Sequence, residues 1–187
     1  MKITILNGNS DINNTDYEAY LEKLIKYLKL QKHEVGQLVL RNMDIKNCTG
    51  CWGCWVKTPG RCLFKDESDT VCEQMIRSDL VILASPMVMG FIDAILKKAM
   101  DKMIPLVHPY IELVQGECHH KMRYDSYPKI GLILDPGSDE VKASDPEDLE
   151  ITIDIFRRFT LNFKSELSFV GYANGSIKEV IHEIDNI

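Results

Sequence analysis

What most restricts the fold of this chain is a recurring pair: a short apolar run, then a helix-length segment whose apolar residues fall three and four apart. Residues 2–7 are the first run, and residues 17–32 the first amphipathic segment, with Tyr17, Tyr20, Leu21, Leu24 and Leu28 on one face. Residues 34–40 follow as a strand whose Val35, Leu38, Val39 and Leu40 suit burial on both faces. Residues 68–78 are expected as a helix capped by Ser68 or Asp69, and residues 80–84 as a third strand that breaks at Ser85-Pro86. A helix over 90–103 comes next, then a fourth strand over 129–134 stopped by Asp135-Pro136-Gly137. A long helix over 146–163, a fifth strand over 167–172 and a terminal helix from Ser176 complete the series. Such alternation requires a parallel sheet with right-handed crossovers and helices on both faces. Ligands of such sheets sit beyond the carboxyl ends of the strands, so the loops after strands one, three and four are where a site is expected.

A length of 187 residues suits one domain spanning residues 1–187. The net charge of −6 comes from 28 acids and 22 scattered bases, which argues against a nucleic-acid partner. Residues 80–92, the longest apolar run, are too few to cross a bilayer and contain Pro86, so no membrane association is expected. Met-Lys runs directly into strand-like Ile-Thr-Ile-Leu rather than a signal sequence, which predicts a cytoplasmic protein. A Ser-His-Asp hydrolase lacks its G-x-S-x-G turn here.

Two stretches stand outside the alternation. Residues 41–66 hold four cysteines, both tryptophans and Pro59, and a loop of this length is usually functional. Residues 104–128 are an insertion before strand four, with His108, Cys118, His119 and His120. The Cys118-His119-His120 triplet is expected as a polar loop at a subunit interface, because adjacent side chains rarely point at one metal. Cys72, alone inside a helix, is expected in the core.

Three segments then stand in order: Ile5-Leu6-Asn7-Gly8-Asn9-Ser10 through Asn14-Thr15; Cys48-Thr49-Gly50-Cys51-Trp52-Gly53-Cys54 through Cys62 and Asp66; and Ala84-Ser85-Pro86 with Gly90, Ala94, Leu96-Lys97 and Asp101-Lys102. Together they resemble the NAD(P)H-dependent FMN reductase and iron-sulfur flavoprotein superfamily. The resemblance implies an α/β, flavodoxin-like three-layer sandwich with a five-stranded parallel sheet in the order 2-1-3-4-5. It also implies bound FMN, NAD(P)H as co-substrate, and a homo-oligomer, with the 104–128 insertion as the expected contact surface.

Carried onto this chain, the resemblance assigns Asn9, Ser10, Asn14 and Thr15 to the FMN phosphate, where backbone N–H groups and a helix N-terminus favour an anion. Ser85, Pro86, Met87, Val88, Met89 and Gly90 would wall the flavin ring, and Asp135 and Gly137 would face the cofactor from strand four. No side chain is assigned a catalytic role, since the flavin carries the chemistry. Two departures stand out. Asp11 falls where a basic residue is common in the family, with Asp16 adding a second negative charge, and Val88 replaces an aromatic.

Cys48, Cys51, Cys54 and Cys62 are spaced C-x2-C-x2-C-x7-C, which four ligands of a [4Fe–4S] cluster can satisfy. Packing thiols, a zinc site or a redox disulfide remain open alternatives. The expected function is an FMN-dependent oxidoreductase that moves electrons from a nicotinamide donor to a small acceptor, such as a quinone or nitro compound, or to a redox protein. An iron-sulfur flavoprotein electron carrier and a non-catalytic binding protein with weakened FMN binding are the alternatives.

Overall fold

Alternate residues of the buried strands turn to opposite faces, and the two sets of side chains gather different helices. The computed structural model describes residues 1–137 and 145–187. In chain order its elements are β1 (Lys2–Asn7), α1 (Thr15–Leu30), β2 (Glu34–Val39), α2 (Gly53–Val56), α3 (Ser68–Arg77), β3 (Leu80–Val88) and β4 (Phe91–Ile92). There follow α4 (Ala94–Asp101), β5 (Val107–Val114), β6 (Glu117–Met122), β7 (Lys129–Asp135), α5 (Pro146–Leu161), β8 (Leu167–Tyr172) and α6 (Ile177–Asp185). The parallel strands lie in the order β2-β1-β3-β7-β8, which is the expected 2-1-3-4-5 once the inserted strands are set aside. Ile3, Ile5, Leu80, Ile82 and Ile133 face α1 and α6, whereas Leu6, Val81, Leu83, Leu132 and Leu134 face α3, α4 and α5. Among the described residues no helix is long and apolar enough to cross a membrane.

Four expectations are corrected. Strand three does not break at Ser85-Pro86: it runs on to Val88, with Pro86 paired to Asp135 of β7, because proline fits a strand wherever no ladder N–H is required of it. Residues 90–103 are not one helix. Met89 and Gly90 both take positive φ, 53° and 82°, and turn β3 back into β4 as a two-residue hairpin before α4 starts behind Asp93. Neither Ser68 nor Asp69 caps α3; the Asp66 carboxylate accepts from the Ser68 N–H at 2.9 Å instead. Finally, β2 is only half buried, since it is an edge strand paired with β1 alone.

The 104–128 insertion folds into the antiparallel β5–β6 hairpin. Cys118, His119 and His120 therefore lie on a strand rather than a loop. Their side chains diverge, as strand geometry requires. Cys118 is exposed, His119 is buried with Nε2 3.2 Å from the Glu117 carboxylate, and His120 sets its ring 5.1 Å from that of Trp55.

Candidate functional site

At the carboxyl ends of β1, β3 and β7 the chain leaves a crevice of about 660 Å³. The loop between β1 and α1 forms one wall, Pro86, Met87 and Val88 the second, and Asp135, Gly137, Ala173 and Asn174 the third. Gly8 opens the first loop, donating its N–H to the Ala84 carbonyl at 2.8 Å. A Cβ there would lie 2.5 Å from Leu96 Cβ, so only glycine lets the loop leave the sheet this close to α4.

Beyond Gly8 the loop closes on itself. The Asn9 N–H donates to Asn7 Oδ1 (3.0 Å), the Asp11 N–H to Asn9 Oδ1 (3.1 Å) and the Asn13 N–H to Asp11 Oδ1 (2.8 Å). Asn14 and Thr15 donate theirs to the carbonyls of Asp11 and Asn13. The Ser10 N–H donates to Asp93 Oδ2 at 3.1 Å, and its hydroxyl donates to the same oxygen. Asp93 is buried, caps α4 by accepting from the Ile95 N–H (3.0 Å), and donates its own N–H to Ser85 Oγ (2.9 Å).

Behind the loop, Glu18 accepts from the side-chain amides of Asn7 (2.9 Å) and Asn9 (2.7 Å) and from Arg41 (2.6 Å). The arginine also donates to the Asn9 carbonyl at 3.2 Å, so its charge is spent on holding the loop. Asn14 caps α1 through the Tyr17 N–H (3.3 Å) and reaches Asp135 Oδ2 at 3.3 Å. Tyr17 lines the crevice with a buried hydroxyl that has no hydrogen-bond partner among the described residues. Burial, then the charges of Asp135 and Glu18, push its pKa well above the usual value and keep the phenol protonated.

The structure thus brings Asn9, Ser10, Asn14, Pro86, Met87, Val88, Asp135 and Gly137 to one crevice. Thr15 sits exposed at the start of α1, Ser85 is buried beneath the wall, and Met89 and Gly90 form the β3–β4 turn; none of these four lines the crevice. Asp93, Tyr17 and Asn174 are the site residues that sequence reasoning missed. An aspartate just before a helix start was the available signal for Asp93, hidden by reading residues 90–103 as one helix.

The cysteine loop lies elsewhere. Cys48, Cys51, Cys54 and Cys62 border a second, narrow cleft of about 30 Å³, which shares no lining residue with the crevice. Trp55 donates its indole N–H to the carbonyls of Val107 (2.9 Å) and Ile104 (3.2 Å), and Trp52 stacks on it with ring centroids 4.9 Å apart. The tryptophans therefore fasten the loop to the hairpin insertion. Beneath them Lys102, 3% exposed, places Nζ 2.9 Å from the fully buried Asp66 carboxylate and 3.0 Å from Cys62 Sγ. Burial alone pushes the Asp66 carboxyl up, but the Lys102 ammonium and the hydroxyl and N–H of Ser68 outweigh it and hold it at about 2.

Burial raises the Cys54 thiol, while the Gly53 N–H and Thr49 hydroxyl lower exposed Cys51. Among the described residues no three cysteine, histidine or acidic side chains converge on a point where a metal ion could sit. All four sulfurs border the one cleft. Cys72 is in the core as expected, its thiol pushed up to about 12 by burial. His108 lies on β5 beside Tyr110, away from the crevice lining.

Comparison with known proteins places these features in context. The family described as NADPH-dependent FMN reductase matches residues 1–115. An iron-sulfur flavoprotein of Archaeoglobus fulgidus is 30% identical over 102 residues, covering 54% of this chain and 48% of that protein. The iron-sulfur flavoprotein of Methanosarcina thermophila is 27% identical over 106 residues, covering 57% of this chain and 54% of its own. The chain spans about half the length of the curated relatives it matches. An FMN-dependent NADH-azoreductase of Bacillus anthracis, solved with FMN, superposes with a TM-score of 0.60 at 12% identity, over 98% of this chain and 93% of that one. At that identity the likeness shows a shared flavodoxin-like fold.

Proposed function

This chain belongs to the NADPH-dependent FMN reductase family, and from that membership we propose that it is a flavin-dependent oxidoreductase passing electrons from a nicotinamide donor to a small acceptor, such as a quinone or nitro compound, or to a redox protein. The single observation that carries the reading is the crevice of about 660 Å³ at the carboxyl ends of β1, β3 and β7, large enough for a flat tricyclic ring. A bound flavin supplies the redox chemistry there.

What the chain supplies is position and exclusion of water. The Pro86, Met87 and Val88 wall is fixed by the pairing of β3 with β7 and β4, so it presents aliphatic and thioether surface to a ring without moving. Tyr17 offers a protonated hydroxyl from the floor. The test is anaerobic addition of NADH or NADPH to flavin-loaded protein. Bleaching of the visible flavin band, reversed by a quinone or nitro compound, is the expected result; a band that neither nucleotide bleaches overturns the reading.

A second reading concerns the cysteine loop. That all four sulfurs border one cleft favours a [4Fe–4S] site on this loop, with the Lys102 ammonium beside Cys62. Stoichiometric iron and acid-labile sulfide after anaerobic purification would establish it, and their absence would leave the thiols as packing groups. Self-association is also proposed, through the hairpin, whose strand β5 exposes Tyr110, Ile111 and Leu113. Light scattering on the intact chain, compared with Leu113→Lys, tests it.

A further inference from the structure

We propose that the crevice takes a flavin whose tail is an uncharged polyol, as in riboflavin, in preference to FMN. The inference rests on the flavin reading above and concerns the end of the ligand away from the ring. An FMN phosphate carries close to two negative charges at neutral pH and offers only acceptor oxygens. It needs free donors. In this loop six of them are already spent: the N–H groups of Asn9, Ser10, Asp11, Asn13, Asn14 and Thr15 have partners within the protein, which leaves only that of Ile12 without one among the described residues. The Asp93 carboxylate takes both donors of Ser10.

The charge points the same way. Asp11, Asp16, Asp93 and Asp135 all border the crevice. Arg41, the cation nearest in the hydrogen-bond network, is turned to Glu18 and the back of the loop.

An acceptor-rich wall calls for a ligand that brings donors. Ribityl hydroxyls are neutral and can donate to the carboxylates of Asp93 and Asp135, which border the crevice. A phosphate dianion in the same place meets like charge at short range, and that repulsion is poorly screened in a crevice.

The test is equilibrium titration of the flavin-free full chain with riboflavin and with FMN, read by quenching of flavin fluorescence. Riboflavin is expected to bind at least about tenfold more tightly. Asp11→Arg changes an exposed residue and is expected to shift the preference toward FMN by about tenfold. Asp93→Asn, which keeps the size and one acceptor oxygen, serves as the second variant and is expected to move it in the same direction. FMN binding as tightly as riboflavin or more so overturns this proposal and leaves the flavin reading standing. Failure of both flavins to bind overturns the flavin reading, and this proposal falls with it.

Discussion

The crevice and the cysteine loop both bury polar groups, but they satisfy them in opposite ways. In the crevice loop many neutral donors, mostly backbone N–H groups, are shared among carboxylate and asparagine amide oxygens, and each bond is one of a set. Under the cysteine loop the fully buried Asp66 carboxylate also accepts from Ser68 and Lys46, but its charge is answered by one ammonium, Lys102, which reaches the Cys62 thiol as well. Shared neutral bonding lets one member change while water or a neighbour replaces it. A lone buried ion pair has no such reserve, because removing either partner strands a charge.

The largest expected effect follows from that difference. Lys102→Met should cost about 3–5 kcal/mol in urea denaturation, since Asp66 is left ionised and unpaired in the interior. Adding Asp66→Leu should recover much of the loss. A single-variant cost below about 1 kcal/mol would break the comparison, since it would mean that water reaches Asp66.

Acid titration sharpens the same point. Asp66 falls from its ordinary 3.8 to about 2 on folding, so its contribution is complete above about pH 4 and is lost as pH drops through 2. That window should carry about 2 kcal/mol of stability in the unaltered chain. It should be missing from Lys102→Met. Measurement of urea midpoints from pH 2 to pH 5 in both proteins would show whether the step follows Lys102.

Next in size is the aromatic clasp. Trp52, 53% exposed, covers Trp55, whose indole is bonded to the hairpin. Trp52→Ala should cost about 1 kcal/mol, the worth of a half-exposed aromatic pair. Faster proteolysis of the 41–66 loop should accompany it, with the hairpin still folded. A hairpin that melts together with the loop would show that the two are one cooperative unit instead.

Residue patterning made the sheet legible because burial on both faces leaves no choice but apolar runs: β1, β3 and β7 begin where residues 2, 80 and 129 said they would. The half-burial of the edge strand β2 and the β3–β4 turn were not legible. Edge burial depends on a neighbour that is absent, and Met89 adopts positive φ only because the hairpin forces it. Cysteine spacing foretold that four thiols would border one cleft. It did not foretell Lys102 on Cys62, forty residues away in sequence and fixed only by packing. In the crevice, the acid at position 11 was visible as a departure, whereas Asp93 became visible only once α4 had a defined start.

Asp11 is where the comparison predicts the smallest change in stability. Its carboxylate accepts from the N–H and side-chain amide of Asn13 at 2.8 and 3.1 Å, both at the exposed tip of the loop. In Asp11→Arg water can take over both bonds, so the urea midpoint should move by no more than about 0.5 kcal/mol. Flavin preference is expected to change nonetheless, because a charge at the crevice mouth acts on a ligand through space and needs no fixed contact. Stability and selectivity would then separate at position 11, whereas at position 102 the fold itself is at stake. A loss above about 2 kcal/mol in Asp11→Arg would mean that this turn is as dependent on one acid as the cysteine loop is on one lysine.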